Sequence, residues 1–209
     1  MSGKILYKNI IKRILDLVIS VLLISILFPV LIIISILIKV TSNGPIFFKQ
    51  KRIGKNGCTF HIYKFRTMCV GAENIGDGLS VKSSSDSRIT SIGRILRKTS
   101  IDEIPQLWNI IKGDMSLIGP RPPVTYFPYK GYANYPSWAK KRFTVRPGVT
   151  GLSQCTVRNS VVWDKRIEID NIYVEKISFL LDLKILFLTI LRTLKQTDIY
   201  GGGKLYKNE

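Results

Sequence analysis

The chain has 209 residues, and its 32 Lys and Arg against 14 Asp and Glu give a formal net charge of +18. This excess predicts an anionic partner, which can be nucleic acid, an acidic lipid surface or a phosphorylated substrate. Three cysteines without CxxC spacing and the single histidine, His61, argue against a disulfide framework, a zinc site and Ser-His-Asp catalysis.

Residues 17–38 form the one long apolar run, which carries no charge and is interrupted by Pro29. At ~1.5 Å per residue, a helix of this length approaches the thickness of about 30 Å of a bilayer core. Both flanks are basic, so the positive-inside rule gives a spanning helix no orientation. We therefore predict a re-entrant helix that bends at Pro29 and returns to the same face, with an ion pair between Arg13 and Asp16 at its entry. The basic flanks are Lys4, Lys8, Lys12 and Arg13 before the run, and Lys39, Lys49, Lys51, Arg52 and Lys55 after it.

The next segments predict a hairpin, a loop and a short helix. Residues 43–67 contain two stretches rich in aromatic and β-branched residues around Gly54-Lys55-Asn56-Gly57, where Asn-Gly suits a tight turn. Residues 71–88 are polar and rich in Gly and Ser, which predicts a loop. A short helix is expected from Ile92 to Lys98.

Asp102 to Lys112 has a helical period and ends at Gly113. Residues 119–123, GPRPP, and 146–151, RPGVTG, predict rigid loops because proline fixes the backbone. Residues 177–195 are apolar but contain charges, so we predict an amphipathic helix that lies on the bilayer or packs on the domain. The fold class is predicted as mainly α with a small β-hairpin (α+β). The predicted apolar face of the helix that begins at Asp102 is Ile104, Leu107, Trp108 and Ile111.

Asp102 is the main candidate for chemistry. Pro105 lacks an amide hydrogen and must lie in the first turn of a helix, which places Asp102 at or near the N-cap. In the structural alternative Asp102 only caps this helix, and Ser100 with Glu103 matches a capping box. In the functional alternative its carboxylate attacks phosphorus as a nucleophile, and nearby arginines neutralise the phosphates. The arginines in or beside unusual backbone are Arg97, Arg121 and Arg146.

Three motifs in order resemble the bacterial sugar transferase family: Phe65-Arg66-Thr67-Met68, residues 96–122 (LRKTSIDEIPQLWNIIKGDMSLIGPRP) and residues 146–151. The likeness extends from about residue 12 to about residue 182 and includes the segment broken by proline. It implies a monotopic phosphoglycosyl transferase that moves a sugar phosphate from a UDP-sugar to polyprenol (undecaprenyl) phosphate and releases UMP.

The resemblance also implies roles for individual residues. Asp102 is expected to attack the β-phosphate and form a covalent phosphosugar intermediate, and Glu103 to handle protons near Mg²⁺, which is expected beside Asp102. Two departures from the family pattern are Phe28 in place of a serine before Pro29, and the missing glycine before Arg158 and Asn159, whose roles stay open. Positions expected to hold phosphates or the nucleotide are Arg97, Arg121, Arg146 and Lys64.

The resemblance implies the cytoplasmic face of a bacterial inner membrane, with residues 1–41 as the re-entrant helix and its basic flank and residues 42–209 as the catalytic domain. Membrane lipids are then partners, and nucleic acid is not. A membrane-tethered nucleic-acid-binding protein or a scaffold is the rival hypothesis. The identity of the sugar, the pathway and the formation of a homodimer are left open by the sequence.

Overall fold

The computed structural model describes residues 3–75, 85–157 and 160–195, most of which are helical, as the sequence predicted. Residues 76–84 of the predicted loop lie outside this description, as do Arg158 and Asn159. The helices are α1 (Gly3–Leu6), a π-helical turn (Tyr7–Ile11), α2 (Lys12–Thr41), α3 (Ser91–Thr99), α4 (Gln106–Lys112), α5 (Ser137–Lys140), α6 (Leu152–Thr156), α7 (Trp163–Lys176) and α8 (Phe179–Lys195), and the strands are β1 (Phe47–Ile53), β2 (Thr59–Phe65), β3 (Ser116–Ile118) and β4 (Gly148–Thr150).

Strands β1 and β2 form the predicted antiparallel hairpin, with Phe47 opposite Phe65 and Ile53 opposite Thr59. Its connection contains Asn56 and Gly57 at positive φ (54° and 81°), as the Asn-Gly pair predicted.

A second sheet, which the sequence did not predict, pairs β3 with β4 in parallel. Strand β3 precedes the GPRPP loop, but β4 lies within residues 146–151, so the prediction of a loop for that segment is only partly correct. Just after β3, a Cβ on Gly119 would come within 2.5 Å of the Arg146 carbonyl oxygen. The segment that leaves β3 and the segment that enters β4 can approach this closely only because residue 119 is glycine.

Helix α2 continues through Pro29, so the predicted bend is not visible as an interruption of the helix. Residues Tyr7–Thr41 form a stretch long and apolar enough to cross a membrane, with a mean hydropathy of 3.2 over an 18-residue segment. Many of its apolar side chains are exposed, including Ile26 and Phe28. This exposure fits association with lipid, whereas the re-entrant course itself stays a prediction.

Helix α2 also packs on the rest of the protein along most of its length. Ile24 contacts the cluster around Leu107, and Ile34 and Ile38 are buried with Phe65. The helix therefore forms one wall of the core rather than a separate anchor.

The predicted ion pair between Arg13 and Asp16 is wrong. Arg13 donates to the carbonyl oxygens of Ile110 and Ile111 at 2.7 and 3.2 Å, and Asp16 accepts from the backbone N–H of Leu117 at 3.0 Å. Each side chain thus satisfies backbone groups at the end of α4 or in β3 instead of its neighbour on the same helix. Partners about 100 residues away in the chain cannot be predicted from the spacing of two residues on one helix.

Helix α8 confirms the predicted amphipathic helix. Ile185 is fully buried in a cluster with Tyr173, whereas Leu180 and Phe187 are exposed. Asp182 is buried and accepts hydrogen bonds from Tyr7 (2.6 Å), Lys12 (2.7 Å) and Tyr173 (2.8 Å). One face of α8 therefore packs on the domain, and Asp182 joins it to the N-terminal helix.

Candidate active site

A cavity of about 1000 Å³ opens between the hairpin, the turn that follows α3, the Pro-Arg-Pro loop and the helices α2, α7 and α8. Asp102 lies in its wall. Polar and apolar regions both contribute to the lining, with Leu23 and Leu27 from α2 on the apolar side. The other predicted site residues that line the cavity are Glu103, Lys64, Arg97 and Arg121.

The local backbone puts Asp102 at the cavity and not on a helix end. Helix α3 ends at Ser100, which has a positive φ of 58°, and a short 3₁₀ turn, Ile101–Glu103, follows. Helix α4 begins only at Gln106, and neither the turn nor α4 is capped by a side-chain hydrogen bond. The predicted helix start, N-cap and capping box are therefore wrong, and capping does not explain Asp102.

The predicted face of α4 is also only partly correct. Leu107 is buried, but Trp108 is 54% exposed. The other side chains that α4 buries are Gln106, Asn109 and Ile110. Asn109 accepts from the N–H of Tyr63 at 3.0 Å and donates to the carbonyl oxygen of His61 at 2.7 Å. Because Asn109 makes these buried polar contacts to strand β2, the face of α4 that is buried differs from the face that the spacing of its apolar residues predicts. His61 takes part in this contact through its backbone carbonyl oxygen.

Asp102 is half-buried, and its carboxylate accepts no hydrogen bond from the described residues. Burial raises the pKa of Asp102 to about 6, and the negative charge of Glu103 adds to the rise, while the cations Lys64, Arg97 and Arg121 oppose it. A carboxylate with few hydrogen bonds in such surroundings keeps its lone pairs available for a ligand or for attack.

Glu103 is tightly paired. Its Oε1 lies 2.5 Å from Nζ of Lys64 and 3.7 Å from Nη2 of Arg121. Although burial raises the pKa of Glu103, the charges of Lys64 and Arg121 outweigh it and lower the pKa to about 2. Glu103 therefore stays ionised at neutral pH, which disfavours proton transfer and suits a role in holding these two cations beside Asp102.

Arg97 reaches the cavity from the last turn of α3. Its Nε donates to the hydroxyl of Thr67 at 2.8 Å, and the carbonyl oxygen of Thr67 accepts from the N–H of Thr90 at 3.0 Å. Thr67, in the Phe65-Arg66-Thr67-Met68 motif, thus holds the Arg97 guanidinium at its Nε atom. This contact links two of the sequence motifs physically.

Arg146 does not lie with these residues. Its Nε donates to the carbonyl oxygen of Gly113 at 2.9 Å, at the C-terminal end of α4, and it is not part of the cavity wall. Asp102 precedes the opposite end of α4, which is roughly 10 Å long. The prediction that Arg146 binds phosphate is therefore not supported by its position, and its guanidinium satisfies a helix end instead.

Besides Arg97 and Arg121, the cavity wall contains Arg52, Arg66, Arg142, Arg166 and Arg192. The sequence analysis gave neither Arg52 nor Arg142 a place in the site. Arg142 is 2% exposed and lies 2.8 Å from Asp170, which is also buried. In the sequence Arg142 follows two lysines and looks like a surface charge, and Arg52 was counted as a membrane flank. Only its distant pairing with an acid on α7 could have identified Arg142.

The donor set at Asp102 fits a Mg²⁺ ion that takes few protein ligands. Within the described ranges, no group of three or more His, Cys, Asp or Glu side chains could hold a metal. Mg²⁺ prefers oxygen ligands and commonly binds through one or two carboxylates together with water and substrate phosphates. Asp102, with its hydrogen-bonding capacity unused, and the neighbouring Glu103 supply such carboxylates.

Comparisons with known proteins match most of the chain. The bacterial sugar transferase family matches residues 7–196. The uncharacterized sugar transferase EpsL of Bacillus subtilis is 40% identical over 191 residues, which cover 91% of this chain and 90% of that protein. A UDP-glucose:undecaprenyl-phosphate glucose-1-phosphate transferase of Caulobacter vibrioides is 39% identical over 90% of this chain and 72% of its own length. The UDP-N-acetylgalactosamine-undecaprenyl-phosphate N-acetylgalactosaminephosphotransferase of Aeromonas hydrophila is 39% identical over 86% of this chain but only 43% of its own length.

Proposed function

Because this chain belongs to the bacterial sugar transferase family, we propose that it transfers a sugar phosphate from a UDP-sugar to undecaprenyl phosphate and releases UMP. The observation that carries the proposal is the half-buried Asp102 in a cavity lined by cations. Relatives named as undecaprenyl-phosphate sugar-phosphate transferases support polyprenol-phosphate phosphoglycosyl transfer as the reaction class.

The proposed reaction has two displacements at one phosphorus atom. In the first, a carboxylate oxygen of Asp102 forms a bond to the β-phosphorus, and the bond from this phosphorus to the bridging oxygen breaks. The electron pair stays on that oxygen, which leaves as part of UMP. In the second, a phosphate oxygen of undecaprenyl phosphate attacks the same phosphorus, and the bond to Asp102 breaks. The carboxylate is restored, and neither step requires a net proton transfer.

The neighbouring side chains would supply charge and position. Lys64 and Arg121, held by Glu103, would neutralise the phosphate oxygens that otherwise repel the approaching carboxylate. Arg97 would bind phosphate from the α3 side. Mg²⁺, bound by Asp102 and Glu103, would add Lewis-acid stabilisation of the phosphate charge.

The membrane location follows from the lipid acceptor. The exposed apolar side chains of α2 and α8 offer a surface for the bilayer, and the cavity is partly walled by α2. A monotopic arrangement on the cytoplasmic face, with α2 entering and leaving the same leaflet, would bring a soluble UDP-sugar and a lipid phosphate to the same residue.

The direct test is incubation of the purified full chain with a panel of UDP-sugars and Mg²⁺, followed by mass spectrometry and measurement of UMP. We expect a phosphosugar adduct on the peptide that contains Asp102, and its loss when undecaprenyl phosphate is added. Asp102→Asn should abolish adduct and turnover without unfolding the protein, because Asn keeps the size of the side chain.

The matched control is Asp164→Asn, an exposed acid that accepts one hydrogen bond from Tyr129 and lies outside the cavity wall. It should keep full activity. A folded wild-type protein that forms no adduct with any UDP-sugar in the presence of Mg²⁺ would sink the covalent mechanism. A nucleic-acid binder or a scaffold would show equal function for Asp102→Asn and wild type.

A further inference from the structure

Two buried arginines fasten the Pro-Arg-Pro loop through consecutive carbonyl groups. Nη2 of Arg142 donates to the carbonyl oxygen of Arg121 at 2.6 Å, and Nη1 of Arg52 donates to the carbonyl oxygen of Pro122 at 3.0 Å. The N–H of Ile53 adds a bond to Pro123 at 3.0 Å. The three guanidinium groups of Arg52, Arg121 and Arg142 are therefore gathered around one short loop and line the same cavity.

The remaining donors of Arg52 and Arg142 are not used by the part of the protein that the structure describes. Nε and Nη1 of Arg142 and Nε of Arg52 are buried and have no hydrogen-bond partner there. The faces of the Arg142 guanidinium are covered by Phe143 and Trp163, at 5.5 and 5.8 Å from the ring centroids. Nη2 of Arg142 is engaged by Arg121 and Asp170, so Nε and Nη1 are the donors that a ligand in the cavity would satisfy. A buried N–H group without a partner is costly, so a bound acceptor would remove a real penalty.

The charge balance indicates an anionic ligand. Among the described residues, the cavity wall carries four carboxylates, those of Glu73, Asp102, Glu103 and Asp170, against seven arginines and two lysines. Asp170 is already engaged by Arg142 and by the hydroxyl of Ser153. Burial and the nearby charge of Arg121 lower the pKa of Arg52 to about 10, which shows how closely these like charges are held. A doubly charged phosphate would relieve this repulsion and bind several guanidinium donors at once.

We propose that Arg52 and Arg142, together with Arg121, form the subsite for the nucleotide that leaves, and that they bind the α-phosphate of the UDP-sugar and then the phosphate of UMP. The inference rests on the proposed function. In an in-line displacement the leaving oxygen lies opposite the attacking oxygen, so cations beyond the β-phosphate would stabilise the charge that develops when the bridging bond breaks. The subsite would therefore assist both binding and departure of UMP.

The test measures equilibrium binding of UMP to the full chain by isothermal titration calorimetry, with uridine and inorganic phosphate as separate probes. Arg142→Lys and Arg52→Lys keep a positive charge for Asp170 and the loop but remove the forked donors. We expect each to weaken UMP binding by about ten- to hundredfold, because charge-assisted bonds to phosphate are lost, and to leave uridine binding unchanged. Arg94→Lys, which changes an exposed arginine of α3 outside the cavity wall, is the matched control and should bind UMP as wild type does.

Thermal unfolding without ligand identifies a variant that has lost its fold. If Arg142→Lys does not fold, Arg52→Lys alone tests the subsite, because Arg52 has no buried acidic partner among the described ion pairs. Equal UMP affinity in wild type and both lysine variants would overturn the subsite, as would a wild type that binds no UMP. A raised KM for undecaprenyl phosphate with unchanged UMP affinity would assign these arginines to the acceptor and overturn it too. None of these readouts depends on the adduct at Asp102, so a failure of the covalent mechanism is seen separately.

Discussion

Replacing Asp182 with Ala should destabilise the protein strongly, because this one carboxylate joins the N-terminal helix to α7 and α8. It is 4% exposed and accepts hydrogen bonds from Tyr7, Lys12 and Tyr173 at 2.6–2.8 Å. The substitution leaves the Lys12 ammonium, whose side chain is 11% exposed, without its counter-charge. It also removes the acceptor of the Tyr7 hydroxyl, whereas the Tyr173 hydroxyl keeps the carbonyl oxygen of Ile118 at 3.2 Å.

Breaking a buried ion pair on one side costs about 3–5 kcal/mol. For a protein of 150–250 residues, each kcal/mol lowers the Tm by roughly 2–4 °C, so the expected fall is about 6–20 °C. The double variant Lys12→Met with Asp182→Leu removes both charges and should lose less stability than Asp182→Ala alone, because no buried charge remains without a partner.

The measurement is thermal unfolding of the full chain in one detergent, with Asp164→Ala as the control. Asp164 is exposed and accepts one hydrogen bond from Tyr129, so its loss should cost less than about 1 kcal/mol. The reasoning is refuted if Asp182→Ala lowers the Tm no more than Asp164→Ala, or if the double variant is no more stable than the single one.

Three other predictions concern the α4 contact, the second sheet and the N-terminal helix, and a fourth concerns the metal. Asn109→Ala should cost about 3 kcal/mol, since it strands a buried N–H and a carbonyl of β2, and a denaturant midpoint equal to wild type would contradict this. Gly119→Ala should lower both Tm and expression, because its Cβ meets backbone within 2.5 Å; a stabilised variant would show that the two strands can separate freely. With Lys4→Cys as a probe, an impermeant maleimide should fail to label intact cells, whereas adding Pro29→Ala should straighten the helix and allow labelling; labelling of the Pro29 protein from outside would refute the re-entrant course. EDTA should abolish UMP release and excess Mg²⁺ should restore it, and turnover that persists in EDTA would remove the metal from the mechanism.

Local chemistry predicted several elements well. The hairpin around Asn56-Gly57 and the helix from Ser91 to Thr99 depend on short-range signals, which a sequence displays directly. Asp102, Arg97 and Arg121 were predicted from the local backbone and again from the family resemblance, and Glu103 and Lys64 from the resemblance alone. All five line the same cavity.

Features that depend on distant contacts were missed. Strands β3 and β4 have three residues each, and their pairing joins segments about 30 residues apart. The start and the buried face of α4 were wrong because Pro105 and the buried Asn109 outweigh the apolar period. Arg142 was overlooked and Arg146 misassigned for the same reason: each guanidinium takes a partner that lies more than 20 residues away in the chain.

The packing of α2 has a practical consequence for isolating this enzyme. Ile34 and Ile38 belong to the same buried cluster as Phe65 and Leu96, and Asp16 bonds to the edge of β3. Deleting residues 1–41 would therefore uncover the interior of the remaining chain and yield an aggregating product rather than a water-soluble catalyst. Folding and any association with lipid are therefore coupled, because the same helix completes the core on one side and exposes apolar side chains on the other.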